Sequence, residues 1–111
     1  MLLRRLAFSF GVGGLAIGGL AQGAFYSGNR LFELCESGKA SDRAQCEGYV
    51  MAFADLSLAP NYQPRTCLPK TASARQLGDT VTKWLKDNPN QRQFNAASIV
   101  PKALAENYGC K

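Results

Sequence analysis

Four cysteines, Cys35, Cys46, Cys67 and Cys110, carry the most defined chemistry in this 111-residue chain. Their number is even, no Cys-x-x-Cys spacing occurs, and none lies in the apolar N-terminal stretch. That is the pattern of thiols that pair in an oxidising compartment rather than hold a metal. Histidine is absent, so the commonest general base and the usual zinc ligand are both missing. A cysteine nucleophile would need an activating partner, and none is visible. Asp55, an acid on an otherwise apolar helix, has no second acid beside it and reads as a buried structural carboxylate that caps the following helix or accepts a backbone N–H. No catalytic residue, metal site or cofactor is expected, and the chain should bind rather than catalyse.

The cysteines must be positioned by a small body. Arg4 and Arg5 precede an uncharged apolar run from Leu6 to Leu20, and small residues follow at Ala21, Gly23 and Ala24. This is the layout of a secretory signal over residues 1–23, with the best cleavage site after Ala21 and cuts after Gly23 or Ala24 as alternatives. The charge-free stretch from Leu6 to Asn29 is also long enough to cross a bilayer, so retention as a membrane anchor is the alternative. Its glycines, Gly11, Gly13, Gly14, Gly18, Gly19 and Gly23, lower the hydrophobicity of such a span. Either way the domain, residues 24–111, is expected outside the cytoplasm, in the periplasm. Contact with a membrane is expected only if the N-terminal segment is retained.

The net charge of +5 falls to +3 without Arg4 and Arg5. Lys70, Arg75, Lys83 and Lys86 are interleaved with Asp79 and Asp87, so no basic block suited to nucleic acid forms. A body of this size buries only about 60–65% of its unfolded surface, which leaves a thin margin that two disulfides would supplement.

The apolar spacing is helical throughout. Leu31, Leu34 and Cys35 predict a first helix over 30–36 with Asn29 as N-cap. Ser37, Gly38 and Lys39 stop it. Ser41 and Asp42 open a second helix, with Cys46, Tyr49, Val50, Phe53 and Ser57 on one face, ending near Leu58. Residues 59–66 hold two prolines and no apolar period, and form a surface loop. Ser73 and Gln76 make a capping box before Leu77, Val81, Trp84 and Leu85 at i, i+4, i+7 and i+8. Asn88-Pro89 closes that helix. A last helix is expected from about Gln91 to Tyr108, with Phe94, Ala97, Val100, Leu104 and Tyr108 on one face and a kink or split at Pro101. Trp84, Tyr49 and Tyr108 are expected in the core. The fold class is therefore all-α, a disulfide-stapled bundle of four to five short helices in two hairpins.

Short links make antiparallel neighbours, so residues flanking a link face each other. Cys35 and Cys46 flank the first link, and the start of the third helix should lie beside the end of the fourth, near Cys110. The expected bonds are Cys35–Cys46 and Cys67–Cys110, with the other two connectivities left open by sequence. Loop-closure entropy gives about 3 and about 4 kcal/mol for them, the longer loop gaining more.

Tyr62 lies between Pro60 and Pro64, where its ring reaches a core with difficulty, and such loops carry recognition more often than packing. Asn61, Tyr62, Gln63 and Arg65 are the candidate partner-binding residues. Tyr62 is balanced between a contact and a lid over the helices.

Taken together, Gly28-Asn29, Leu31, Cys35-Glu36-Ser37, Cys46-x-Gly48-Tyr49-Val50, Asp55, Cys67-Leu68-Pro69, Gln76-Leu77, Val81, Leu85, Asn88-Pro89-x-x-Arg92, Ala96, Val100, Ala103-Leu104 and Cys110 resemble the Rap/Tai family of periplasmic immunity proteins. Ala52 stands where that family carries glycine, and Pro101 where a polar helix residue is usual. The resemblance implies a helical domain, often a homodimer, that neutralises a peptidoglycan amidase toxin of a type VI secretion system by pushing a surface loop into its groove. Two other classes compete on the residues alone. One is a membrane-tethered accessory subunit of an envelope complex, and the other is a small periplasmic chaperone.

Overall fold

The computed structural model describes residues 25–110. The expected signal or anchor, residues 1–23, lies outside them. Four α-helices follow in order: α1 (Gly28–Glu36), α2 (Ala40–Leu56), α3 (Ala74–Asp87) and α4 (Ala96–Tyr108), with a single 3-10 turn at Pro89–Gln91 before α4. Among the described residues no strand forms, only isolated antiparallel bridges at Ser27 with Asn95 and at Thr66 with Gly109. The architecture is the all-α bundle that the apolar spacing implies. α1 and α2 form one hairpin, α3 and α4 the other, and α3 touches all three other helices.

Local chemistry explains most of the boundaries. In α3 the Ser73 hydroxyl accepts from the Gln76 N–H at 3.1 Å while Gln76 Oε1 accepts from the Ser73 N–H at 2.9 Å, a reciprocal cap that satisfies two otherwise unpaired donors. α1 begins earlier than its apolar residues suggest. Ser27, not Asn29, is its N-cap, accepting from the Arg30 N–H at 3.1 Å. α2 opens at Ala40 with Lys39 at the cap and no side-chain bond, while the Ser37 hydroxyl donates to Asp42 Oδ2 at 2.8 Å across the turn. α2 also stops at Leu56, two residues short of Leu58.

The largest departure concerns the fourth helix, which starts at Ala96 rather than near Gln91. Residues 92–96 are held instead by the entry to α1. Gly28 N–H donates to Phe94 O at 2.8 Å, Asn29 N–H to Arg92 O at 2.7 Å and Ala96 N–H to Tyr26 O at 3.0 Å. These long-range bonds outweigh the local helical preference of the segment, since each satisfies a main-chain group that would otherwise need a partner. Starting at Ala96 also rotates the buried face of α4 to Ala96, Ile99, Val100, Ala103 and Leu104, leaving Ala97 exposed and Phe94 half exposed. The late start moves Pro101 into the second turn, and the helix runs unbroken through it.

The core joins Leu31 and Leu34 of α1, Val50 and Ala54 of α2, Leu77, Val81 and Leu85 of α3, and the α4 face. Trp84 is buried among them, and its indole N–H donates to Glu106 Oε1 at 2.7 Å, which supplies the partner a buried Trp needs. Tyr49 and Tyr108 are only half-buried. Tyr49 stacks at a tilt between Tyr26 and Phe53, with centroids 5.0 and 5.4 Å away. Burial, aided by the Tyr26 phenol, pushes its own phenol above the ordinary tyrosine pKa.

Gly28 explains itself sterically. A Cβ there would stand 2.6 Å from Ile99 Cδ1, 2.7 Å from Arg92 O and 2.8 Å from Arg92 Cα, and two of those atoms are backbone that cannot turn away. Gly28→Ala is expected to cost about 1–3 kcal/mol, the range for overpacking a filled site. Gly48 sits inside α2 with nothing within 4 Å of such a Cβ, so Gly48→Ala should instead stabilise, by about 1 kcal/mol from helix propensity. Urea denaturation of the two variants checks this, and equal effects would remove the close approach at Gly28 as the reason for glycine.

Candidate functional site

Each disulfide has one cysteine at the end of a helix. Cys35 closes the last turn of α1 and meets Cys46 of α2 across the first hairpin, with Cα atoms 5.0 Å apart and both residues almost fully buried, at 3% and 1% exposure. Cys67 meets Cys110, just past α4, with Cα atoms 4.9 Å apart, and here both residues are exposed. The Cys67 N–H also donates to Tyr108 O at 2.7 Å, beside the Thr66–Gly109 bridge. The second staple therefore ties the middle of a long connection to the C-terminal end of the bundle.

That connection spans residues 57–73, between α2 and α3. Connections beyond about 12–15 residues with no regular structure are uncommon in compact domains and are usually functional or disordered. This one is ordered by turns. Ser57 donates through its hydroxyl to Ala54 O at 2.6 Å, Ala59 N–H to Leu56 O at 3.0 Å, Tyr62 N–H to Ala59 O at 3.2 Å and Ala72 N–H to Pro69 O at 3.0 Å. The loop is thus held at α2, at the disulfide and at the α3 cap.

Its crest holds the four candidate contacts. Asn61, Gln63 and Arg65 are exposed and Tyr62 is half-buried, with Pro60 and Pro64 exposed on either side. Among the described residues no side-chain hydrogen bond or ion pair uses Asn61, Tyr62, Gln63 or Arg65. Their polar groups are free to meet a partner's. The segment is consequently a stapled platform with an unengaged polar crest.

Asp55 is not the buried carboxylate that the apolar run of α2 suggested. It is exposed, on the lip of a depression that α2 and the loop form together. Two residues act in ways their spacing did not reveal. The Arg92 guanidinium lies 4.2 Å from the centre of the Phe32 ring, clamping the 3-10 turn onto α1 by a cation–π contact. Glu106 receives the Trp84 indole. Arg92 could be singled out only as the end of the Asn-Pro-x-x-Arg motif, and Glu106 carried no signal. Among the described residues no group of three or more histidine, cysteine, aspartate or glutamate side chains is placed to hold a metal ion.

A four-helix domain of this size with two disulfides, one of them tying down a long polar loop, has the build of the small domains that are stapled in oxidising compartments. The sequence model of the Rap1a immunity proteins matches residues 27–110, and the chain belongs to that family. The match begins at the Ser27 cap and ends at the last disulfide cysteine, so it covers the whole bundle. No curated protein and no solved structure matches the chain.

Proposed function

We propose that this chain is a periplasmic immunity protein that neutralises a peptidoglycan amidase toxin of a type VI secretion system, by setting the crest of its 57–73 loop into the toxin's groove. The observation that carries the reading is the loop itself, ordered, tethered at three points and polar at its crest, within a chain of the Rap1a immunity family. A stiffened loop loses less entropy on binding than a free one, so it can fill a groove at lower cost. It acts by occupying the toxin and carries out no reaction of its own. Residues 1–23 serve as its export signal, and the oxidising periplasm allows both disulfides to form.

Self-association accompanies this reading. The outer side of α2, where Ala44, Gly48 and Ala52 are exposed, offers a second copy a close helix approach. Protection of growing cells tests the main reading. Cells that export the cognate amidase should lyse without this protein and survive when its full chain is co-expressed. A version lacking residues 1–23, kept in the cytoplasm, should not protect them. Survival with the cytoplasmic version, or lysis with both, contradicts the reading.

A further inference from the structure

The connection that carries the crest also has an uneven charge. Between Asp55 and Asp79 the only charged side chains are Arg65, Lys70 and Arg75, all cationic and all exposed. None of them takes part in an ion pair among the described residues. Arg75 sits in the first turn of α3, the positive end of the helix dipole, where an acid would be the stabilising choice. Three cations are fewer than the four to eight that mark a surface for anionic lipid.

An open depression of about 370 Å³ is lined by Met51, Ala54, Leu58, Leu68, Ala72 and Leu77, with Lys70 and Asp55 also on its lining. Leu58 on its wall is 78% exposed. An apolar centre inside a charged rim is the anatomy of a protein contact surface.

We propose that this depression seats one aliphatic or aromatic side chain from an acidic lip of the toxin's groove, with Lys70 on its rim facing an acid beside that side chain. The proposal rests on the loop reading above and adds the chemistry of the partner. Long-range attraction to the three cations steers the acidic lip in, and the apolar side chain then fixes the register.

Methyl and amide NMR titrations of the mature domain with two capped tripeptides, acetyl-Glu-Leu-Glu-amide and acetyl-Lys-Leu-Lys-amide, test it without the toxin. The acidic peptide should shift the Ala54, Leu68 and Ala72 methyls saturably and bind roughly fivefold tighter or more than the basic one, the preference fading as salt screens it. Lys70→Glu should reverse the order, Asp55→Asn should strengthen the acidic peptide and Leu58→Ser should weaken it, with melting temperatures unchanged because all three residues are exposed. Equal affinities, or shifts centred elsewhere, would overturn the proposal. So would binding of phosphatidylglycerol vesicles through the same methyls, or shifts of those methyls on dilution, which would assign the site to lipid or to a second copy. The two readings fail separately. If Tyr62 and Arg65 prove dispensable for neutralisation while the acidic peptide still seats, the loop reading falls and this site stands.

Discussion

Replacing Cys35 and Cys46 together by serine is expected to destabilise the domain by about 5 kcal/mol, more than the same change at Cys67 and Cys110. Loop length alone orders the pairs the other way. The Cys67–Cys110 bond spans 43 residues and the Cys35–Cys46 bond 11, which gives about 4 and about 3 kcal/mol from loop-closure entropy. Burial reverses the order. Cys35 and Cys46 lie in the core, so serine there leaves two hydroxyls without water, each costing about 1–3 kcal/mol unless it finds an acceptor. Cys67 and Cys110 are exposed, and serine there meets solvent. A loss of about 5 kcal/mol equals the whole stability of many small domains, so the first pair should abolish folding or nearly so. Alanine separates the two terms, because Cys35→Ala with Cys46→Ala removes the crosslink without burying a hydroxyl. Equal losses for serine and alanine in urea denaturation would refute the burial argument.

The second large effect concerns binding. Tyr62→Ala with Arg65→Ala should weaken binding to the cognate amidase at least tenfold, about 1.4 kcal/mol, with helicity and melting temperature nearly unchanged. Tyr62 contributes an amphipathic ring and Arg65 a planar fork able to meet a carboxylate or backbone oxygens. Neither supports the helices through a hydrogen bond of its own side chain among the described residues, so the fold should not register their loss. Parallel loss of stability and binding would make the crest a structural lid. Unchanged binding would move the contact to the exposed face of α3, around Lys83 and Lys86.

Much of the fold was legible because the signals that shape it are local. The Ser73–Gln76 capping box and the run from Leu77 to Leu85 placed α3, and hairpin geometry placed Cys35 beside Cys46 and Cys67 beside Cys110. What escaped depends on distant partners. Residues 91–95 look helical alone, yet their carbonyls serve the N–H groups at the entry to α1, more than sixty residues earlier in the chain. Asp55 was misjudged because α2 is nearly as apolar outside as inside, so periodicity does not say which face is wet. The candidate loop showed in its prolines and the α3 cap in Ser73 and Gln76, but the turns that order the loop and the Cys67 N–H bond to Tyr108 O did not. The depression is invisible in the sequence, because its walls come from separated points between Met51 and Leu77.

The most direct measurement is inhibition of the purified cognate amidase, acting on intact peptidoglycan, by the mature oxidised domain. Activity should fall in proportion to added protein and vanish near one domain per toxin, while the Tyr62→Ala, Arg65→Ala variant at the same concentration leaves much of it. An amidase that continues to cleave at full rate under an excess of correctly folded, disulfide-bonded domain would contradict the account.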